Sequence, residues 1–257
     1  MVDTPDNPLA GRVLLVTGGS SGIGRAIALA AAKAGADVAL TYRANRAAAD
    51  DVSAQIRALG RRAAALPLDL SDAGQIDRIG PAAIFALGRV DVWVNNAGAD
   101  ILTGDQAALS PRERLDLLLD VDLRGTILAS WRAAELLALN ADGGVIVNMS
   151  WDHVLTGMPG VNPQMFAAVK GGVLSFSKSL ARTVAPVVRV NVVAPGWIST
   201  AFGEGLDHEA RRKVEASTPL QRWGTPDDVA GAVVYLASPG AAFLTGQTIL
   251  VGGGVVM

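Results

Sequence analysis

The sequence predicts an α/β fold, a single-domain, doubly wound parallel sheet of seven strands with helices on both faces. Three observations carry this expectation. Short aliphatic and β-branched runs alternate strictly with longer helical patterns, the signature of repeated βαβ units. A glycine-rich turn joins the first strand to the first helix, where such sheets bind nucleotides. No Pro-, Ser- or charge-rich linker interrupts the 257 residues, of which 50% are hydrophobic and 18% charged. One core can therefore organise the whole chain, residues 1–257.

The elements follow in order. Arg12–Thr17 reads as a strand and leads through glycines into a helix from about Gly22 to Ala34. Asp37–Tyr42 is a second strand, with a helix over about Arg46–Leu59 behind it. Ala63–Leu68 is a weaker third strand; Ser71 and Asp72 are good caps for a helix that Gly80-Pro81 should interrupt. Asp91–Val94 is the fourth strand, and a long helix is expected over Pro111–Leu139, since proline suits a first helical turn. Val145–Asn148 and Val187–Val193 are strands flanking a helix over Gln164–Val184. Charged helical material over Glu204–Ser217, a helix over Pro226–Ala237 and a last strand at Gln247–Val251 complete the pattern.

Composition excludes several functions. Without cysteine there is no disulfide framework, thiolate metal site or cysteine nucleophile, and two histidines are too few for a His-rich metal centre. A net charge of −2 lacks the basic excess of a nucleic-acid-binding protein. No run approaches the roughly eighteen apolar residues of a membrane span. The opening MVDTPDNPLAGR lacks the basic start and apolar stretch of a secretory signal, so a cytoplasmic protein with no membrane or nucleic-acid partner is expected.

Thr17-Gly18-Gly19-Ser20-Ser21-Gly22-Ile23-Gly24 stands between the first strand and first helix. Glycines there let backbone turn tightly and approach a pyrophosphate, which the free N–H groups of the helix terminus then face. The second strand ends in Tyr42-Arg43 rather than in an acidic residue. An acid would bind the adenosine ribose and repel a 2′-phosphate; Arg43, with Arg46 nearby, would attract that phosphate. NADP(H) is accordingly favoured over NAD(H).

With Gly18/Gly22/Gly24, further segments make the chain resemble the short-chain dehydrogenase/reductase family, of Rossmann fold. Asn95-Asn96-Ala97-Gly98 is similar to the family's NNAG, and Asp69-Leu70 matches its adenine-contacting position. Asn191-Val192-Val193-Ala194-Pro195-Gly196 resembles the element lying against the nicotinamide, and Thr245-Gly246-Gln247 with Gly252-Gly253 resembles its C-terminal motif. The resemblance spans essentially the whole chain. It implies a cofactor site of Gly18, Ser20, Ser21, Gly22, Ile23, Gly24, Tyr42, Arg43, Asp69, Leu70, Asn96, Ala97, Gly98, Lys170, Pro195, Gly196, Ile198 and Thr200.

The resemblance also implies an Asn–Ser–Tyr–Lys catalytic set, in which tyrosine transfers the proton, lysine holds the nicotinamide ribose and lowers the tyrosine pKa, serine positions the carbonyl oxygen and asparagine anchors a proton relay. In this chain Lys170 is present, but the tyrosine position holds Phe166 and the asparagine position Asp122. The serine position falls on Trp151 when aligned from the strand and on His153 when aligned back from Phe166; Ser150 lies one residue early and should face the other way. A phenyl ring donates no proton, and general acid catalysis typically supplies about 10²–10⁴-fold.

Three readings follow. In one, an NADPH-dependent reductase acts on an iminium or similar electrophile that needs no proton, with Asp122 and Asp152 stabilising the cation and Trp151, Phe166, Trp197 and Phe202 walling the pocket. In another, carbonyl or alcohol chemistry continues with Asp152 and His153 as the acid. In the third, the protein is an inactive cofactor-binding scaffold or redox sensor. The Gly- and Pro-rich loop Gly157–Pro163 and a lid at about 197–217 suggest a medium-sized, partly apolar organic substrate. The resemblance implies a homodimer or homotetramer, and the long helices with apolar positions on more than one face agree with it.

Overall fold

The computed structural model describes residues 7–200, 205 and 207–257. Seven strands form one parallel sheet in the order β3-β2-β1-β4-β5-β6-β7: β1 Val13–Val16, β2 Asp37–Tyr42, β3 Ala63–Pro67, β4 Val92–Asn95, β5 Gly144–Met149, β6 Val188–Pro195 and β7 Thr248–Val251. The helices among the described residues are α1 Gly22–Lys33, α2 Arg46–Ala58, α3 Ala73–Leu87, α4 Pro111–Leu118, α5 Thr126–Leu137, α6 Val161–Val184, α7 His208–Ser217 and α8 Pro226–Ala237.

Both faces of the sheet are covered, which is why its strands are mainly apolar runs rather than alternating apolar and polar residues. The two-residue period of β1 sends Leu14 and Val16 to one core, with Ile27 of α1 and Val233 of α8. It sends Val13 and Leu15 to the other, with Ile79 of α3 and Val169 of α6. Each such fully buried aliphatic side chain contributes about 1.5–3 kcal/mol. The strand order reverses between β1 and β4, and a crevice opens there at the carboxyl ends of the strands.

Two expected elements differ. Gly80-Pro81 does not interrupt α3, which runs unbroken from an Asp72 cap whose carboxylate accepts the Gln75 N–H at 3.1 Å. Pro81 lies on the solvent face, and at Gly80 any Cβ would collide with Leu136, so close packing on α5 keeps the helix together. The long helix over Pro111–Leu139 is in three parts, because a π-helical turn, Leu119–Gly125, separates α4 from α5. Its last residue must be small: a Cβ at Gly125 would stand 2.7 Å from the Leu70 carbonyl oxygen. The other boundaries move little: α6 begins at Val161, three residues early, and α7 at His208, while Glu204 is outside the described residues. Pro111 and Pro226 each open a helix with a capping box, Ser110–Glu113 and Thr225–Asp228.

Candidate active site

The cleft at the switch point measures about 420 Å³ and is lined by Gly18, Ser20, Ser21, Gly22, Ile23, Gly24, Tyr42, Arg43, Asp69, Leu70, Asn96, Ala97, Gly98 and Thr200 of the expected cofactor residues. Its glycines are required by geometry. Gly18 and Gly22 have φ of 66° and 51°, and a Cβ at Gly24 would collide with the Gly18 carbonyl. Ser21 caps α1 without using its side chain, and the first turn carries no acid, so the N–H groups there remain open to an anion. Thr17 ties this loop to the next strand, its hydroxyl accepting the Asn96 and Ala97 N–H groups at 3.0 Å each. These features fit a dinucleotide. Arg43, at the rim, is exposed, while Arg46 pairs with Asp50 at 3.5 Å.

Asp122 stands in the π-helical turn, 1% exposed. One carboxylate oxygen accepts the Ala99 N–H at 2.7 Å and the other lies 2.8 Å from Lys170 Nζ. The same carboxylate presses on Gly98, where a Cβ would come within 2.7 Å of it. Asp122 thus binds both backbone and lysine.

Asp152 and His153 leave β5 in a short 3-10 turn, Asp152–Val154, and both are buried. Their side chains meet at 2.6 Å, Asp152 Oδ1 to His153 Nδ1. Burial pushes the Asp152 carboxyl above its usual range, against the opposing pull of His153. Its second oxygen has no hydrogen-bond partner and rests against Gly196 and Gly252, at either of which a Cβ would collide with it. Asp152 therefore faces inward. Ser150 turns away as expected, donating to the Lys170 carbonyl at 2.8 Å.

The aromatic residues do assemble. The His153 ring stacks on Trp151 at 5.0 Å, Trp151 meets Phe166 edge-on at 6.3 Å, and Trp197 meets His153 at 6.1 Å. Phe202 is outside the described residues. Lys170, Pro195, Gly196 and Ile198 do not line the cleft; Lys170 stands behind its wall on Asp122, Pro195 is buried at the end of β6 and the Ile198 side chain packs into the core. Trp223 was not anticipated: it extends the aromatic row from Trp197 at 5.6 Å, brought there by the bridge between Ile198 and Gly224. Gly252 as a wall of the Asp152 site was missed as well. Its only signal was the glycine pair after the last strand.

The family model described as enoyl-(acyl carrier protein) reductase matches residues 18–256. A 3-oxoacyl-[acyl-carrier-protein] reductase of Synechocystis sp. is 38% identical over 252 residues, covering 97% of this chain and 98% of the relative. An L-rhamnose 1-dehydrogenase (NAD(P)(+)) of Sphingomonas sp. is 38% identical over 251 residues, covering 96% and 97%. Among solved structures, a putative short-chain alcohol dehydrogenase of Sinorhizobium meliloti superposes with a TM-score of 0.88 at 35% identity, covering 98% of each chain. A short-chain dehydrogenase/reductase of Serratia marcescens gives 0.87 at 31% identity, covering 97% of this chain and all of that one. With the sheet order, the glycine cleft and full-length similarity in agreement, the chain belongs to the short-chain dehydrogenase/reductase family of nicotinamide-dependent oxidoreductases.

Proposed function

We infer that this protein is an NADP(H)-dependent oxidoreductase with non-standard catalytic residues, in which the Asp152–His153 pair supplies the proton that Phe166 cannot. The observation that carries this reading is the 2.6 Å contact between Asp152 and His153 beside Trp151 and Trp197. A bound nicotinamide dinucleotide supplies hydride to a carbonyl carbon, or accepts it from an alcohol in the reverse direction. In reduction, His153 gives a proton from Nε2 to the carbonyl oxygen while Asp152 shares the proton at Nδ1, so an alcohol forms. Lys170, anchored by Asp122, holds the ribose, and the open N–H groups of α1 receive the pyrophosphate. Arg43 selects the 2′-phosphate.

The substrate is a medium-sized, partly apolar organic molecule, enclosed by Trp151, Phe166 and Trp197. The protein works in the cytoplasm as a homodimer or homotetramer. A precharged electrophile is disfavoured because Asp122 and Asp152 are both committed elsewhere.

Titration with NADPH and NADH, followed by cofactor fluorescence, should show tight binding that prefers NADPH. Turnover is then screened on a 3-oxoacyl thioester and an aldose, the classes named for two relatives. On whichever substrate turns over, His153→Gln should lower kcat by about 10²–10⁴-fold with NADPH affinity unchanged. Full turnover in that variant would end the acid assignment, and cofactor binding without turnover of any substrate would favour the scaffold reading.

A further inference from the structure

The buried Asp122–Lys170 pair has a consequence for which redox form of the cofactor is held. Asp122 lies directly behind Gly98, and its neighbour Val121 lines the same cleft as Gly98. Its two oxygens serve different purposes, one closing on the Ala99 N–H at 2.7 Å and the other on Lys170 Nζ at 2.8 Å. An asparagine at this point could accept from Ala99 but would turn an NH₂ donor toward an ammonium that is itself only a donor. Only a carboxylate satisfies both partners. The Lys170 side chain is 11% exposed and that of Asp122 2%, so solvent screens the pair weakly and each charge is cancelled chiefly by the other.

We propose that Asp122 is a built-in counter-ion for Lys170, so that this wall of the cleft is electrically neutral and the cationic ring of the oxidised cofactor is not penalised against the neutral reduced ring. Lys170 keeps two further N–H donors for hydroxyl groups, so pairing with Asp122 removes its charge from the cleft without removing its hydrogen bonds. The loss of tyrosine at Phe166 fits this arrangement, because no phenol is left for a positive lysine to ionise. Asp122 is in this sense a positioning residue acting through Lys170. The proposal rests on the reading that Lys170 faces the nicotinamide ribose.

The test is the ratio of dissociation constants for NADP⁺ and NADPH, by calorimetry and fluorescence at neutral pH, in four proteins. Asp122→Asn leaves a bare lysine and should weaken NADP⁺ relative to NADPH by about tenfold, the order a weakly screened unit charge gives. Lys170→Met leaves a bare carboxylate and should shift the ratio the opposite way. The double variant Asp122→Asn/Lys170→Met is charge-free and should return to the wild-type ratio. It also guards against misfolding, since replacing both partners of a buried pair costs far less stability than removing one. A purely structural role would move both constants together in every variant, and equal ratios throughout would overturn the proposal. If the wild type binds neither form, the cofactor reading itself has failed, an outcome distinct from binding with an unmoved ratio.

Discussion

Asp152 shows how one residue reports its surroundings. Burial raises its carboxyl above the ordinary value, so the folded state holds this proton more tightly than the unfolded chain does. Its contribution to stability is therefore fully present in acid and is lost as pH climbs from the ordinary carboxylate range through the raised value. Asp152→Asn cannot ionise. Its thermal midpoint should fall less than that of the wild type between pH 4 and pH 7, read by melting at stepped pH. Parallel curves would show that burial of this charge does not govern that interval. The residues of the pair were legible in the sequence as an acid beside a histidine where a serine is usual. Their inward orientation was not, because it depends on Gly196 and Gly252, which reach Asp152 from two other strands. Asp122 was similarly visible as a substitution, but its partner Lys170 is on a separate helix and the pairing appears only when α6 packs beside the π-helical turn.

At the level of elements, periodicity identified strands and helices well because each face of this sheet is buried and each helix lays an apolar stripe on it. Punctuation by proline was less dependable. Pro81 in the interior of α3 removes a backbone donor, yet packing of Gly80 against Leu136 and Trp93 carries the helix through. Because Pro81 faces solvent, Pro81→Ala should restore a helical hydrogen bond without disturbing the core. The expected gain is about 1–2 kcal/mol, below the roughly 3 kcal/mol of an ideal helix interior because proline also restricts the unfolded chain. Chemical denaturation would read it as a higher midpoint at constant slope; a lower midpoint would mean the ring itself packs favourably. The π-helical turn has no comparable sequence mark. Nothing in Leu119–Gly125 distinguishes it from ordinary helix until Gly125 is seen against the Leu70 carbonyl.

For the molecule as a whole, ligand binding and folding are coupled through the cleft that joins β1, β2 and β4. A cofactor present at about a hundred times its dissociation constant stabilises the fold by about 2.7 kcal/mol, or roughly 5–10 °C for a chain of this size. Scanning fluorimetry should show that shift with NADP⁺. In Arg43→Asp the NADP⁺ shift should shrink while that of NAD⁺ is kept or enlarged, since the rim would then repel the 2′-phosphate. Equal loss with both would refute the phosphate assignment. The global fold was the most legible level of all, because strictly alternating βα units admit few connections and favour right-handed crossovers.

The direction of the sheet also decides how the protein can be handled. All seven strands are parallel. The chain therefore reaches the interior strand β1 from the amino ends of the strands, where Leu9 is sealed beneath Ala34, and its last residues follow β7 at the carboxyl ends, where Gly252 touches Asp152 and Val256 is 4% exposed. A surface linkage or fusion partner joined ahead of Leu9 hangs from the blind end of the sheet. The same attachment joined after Met257, which is 99% exposed, follows the carboxyl end of β7, five residues beyond the Gly252 that touches Asp152.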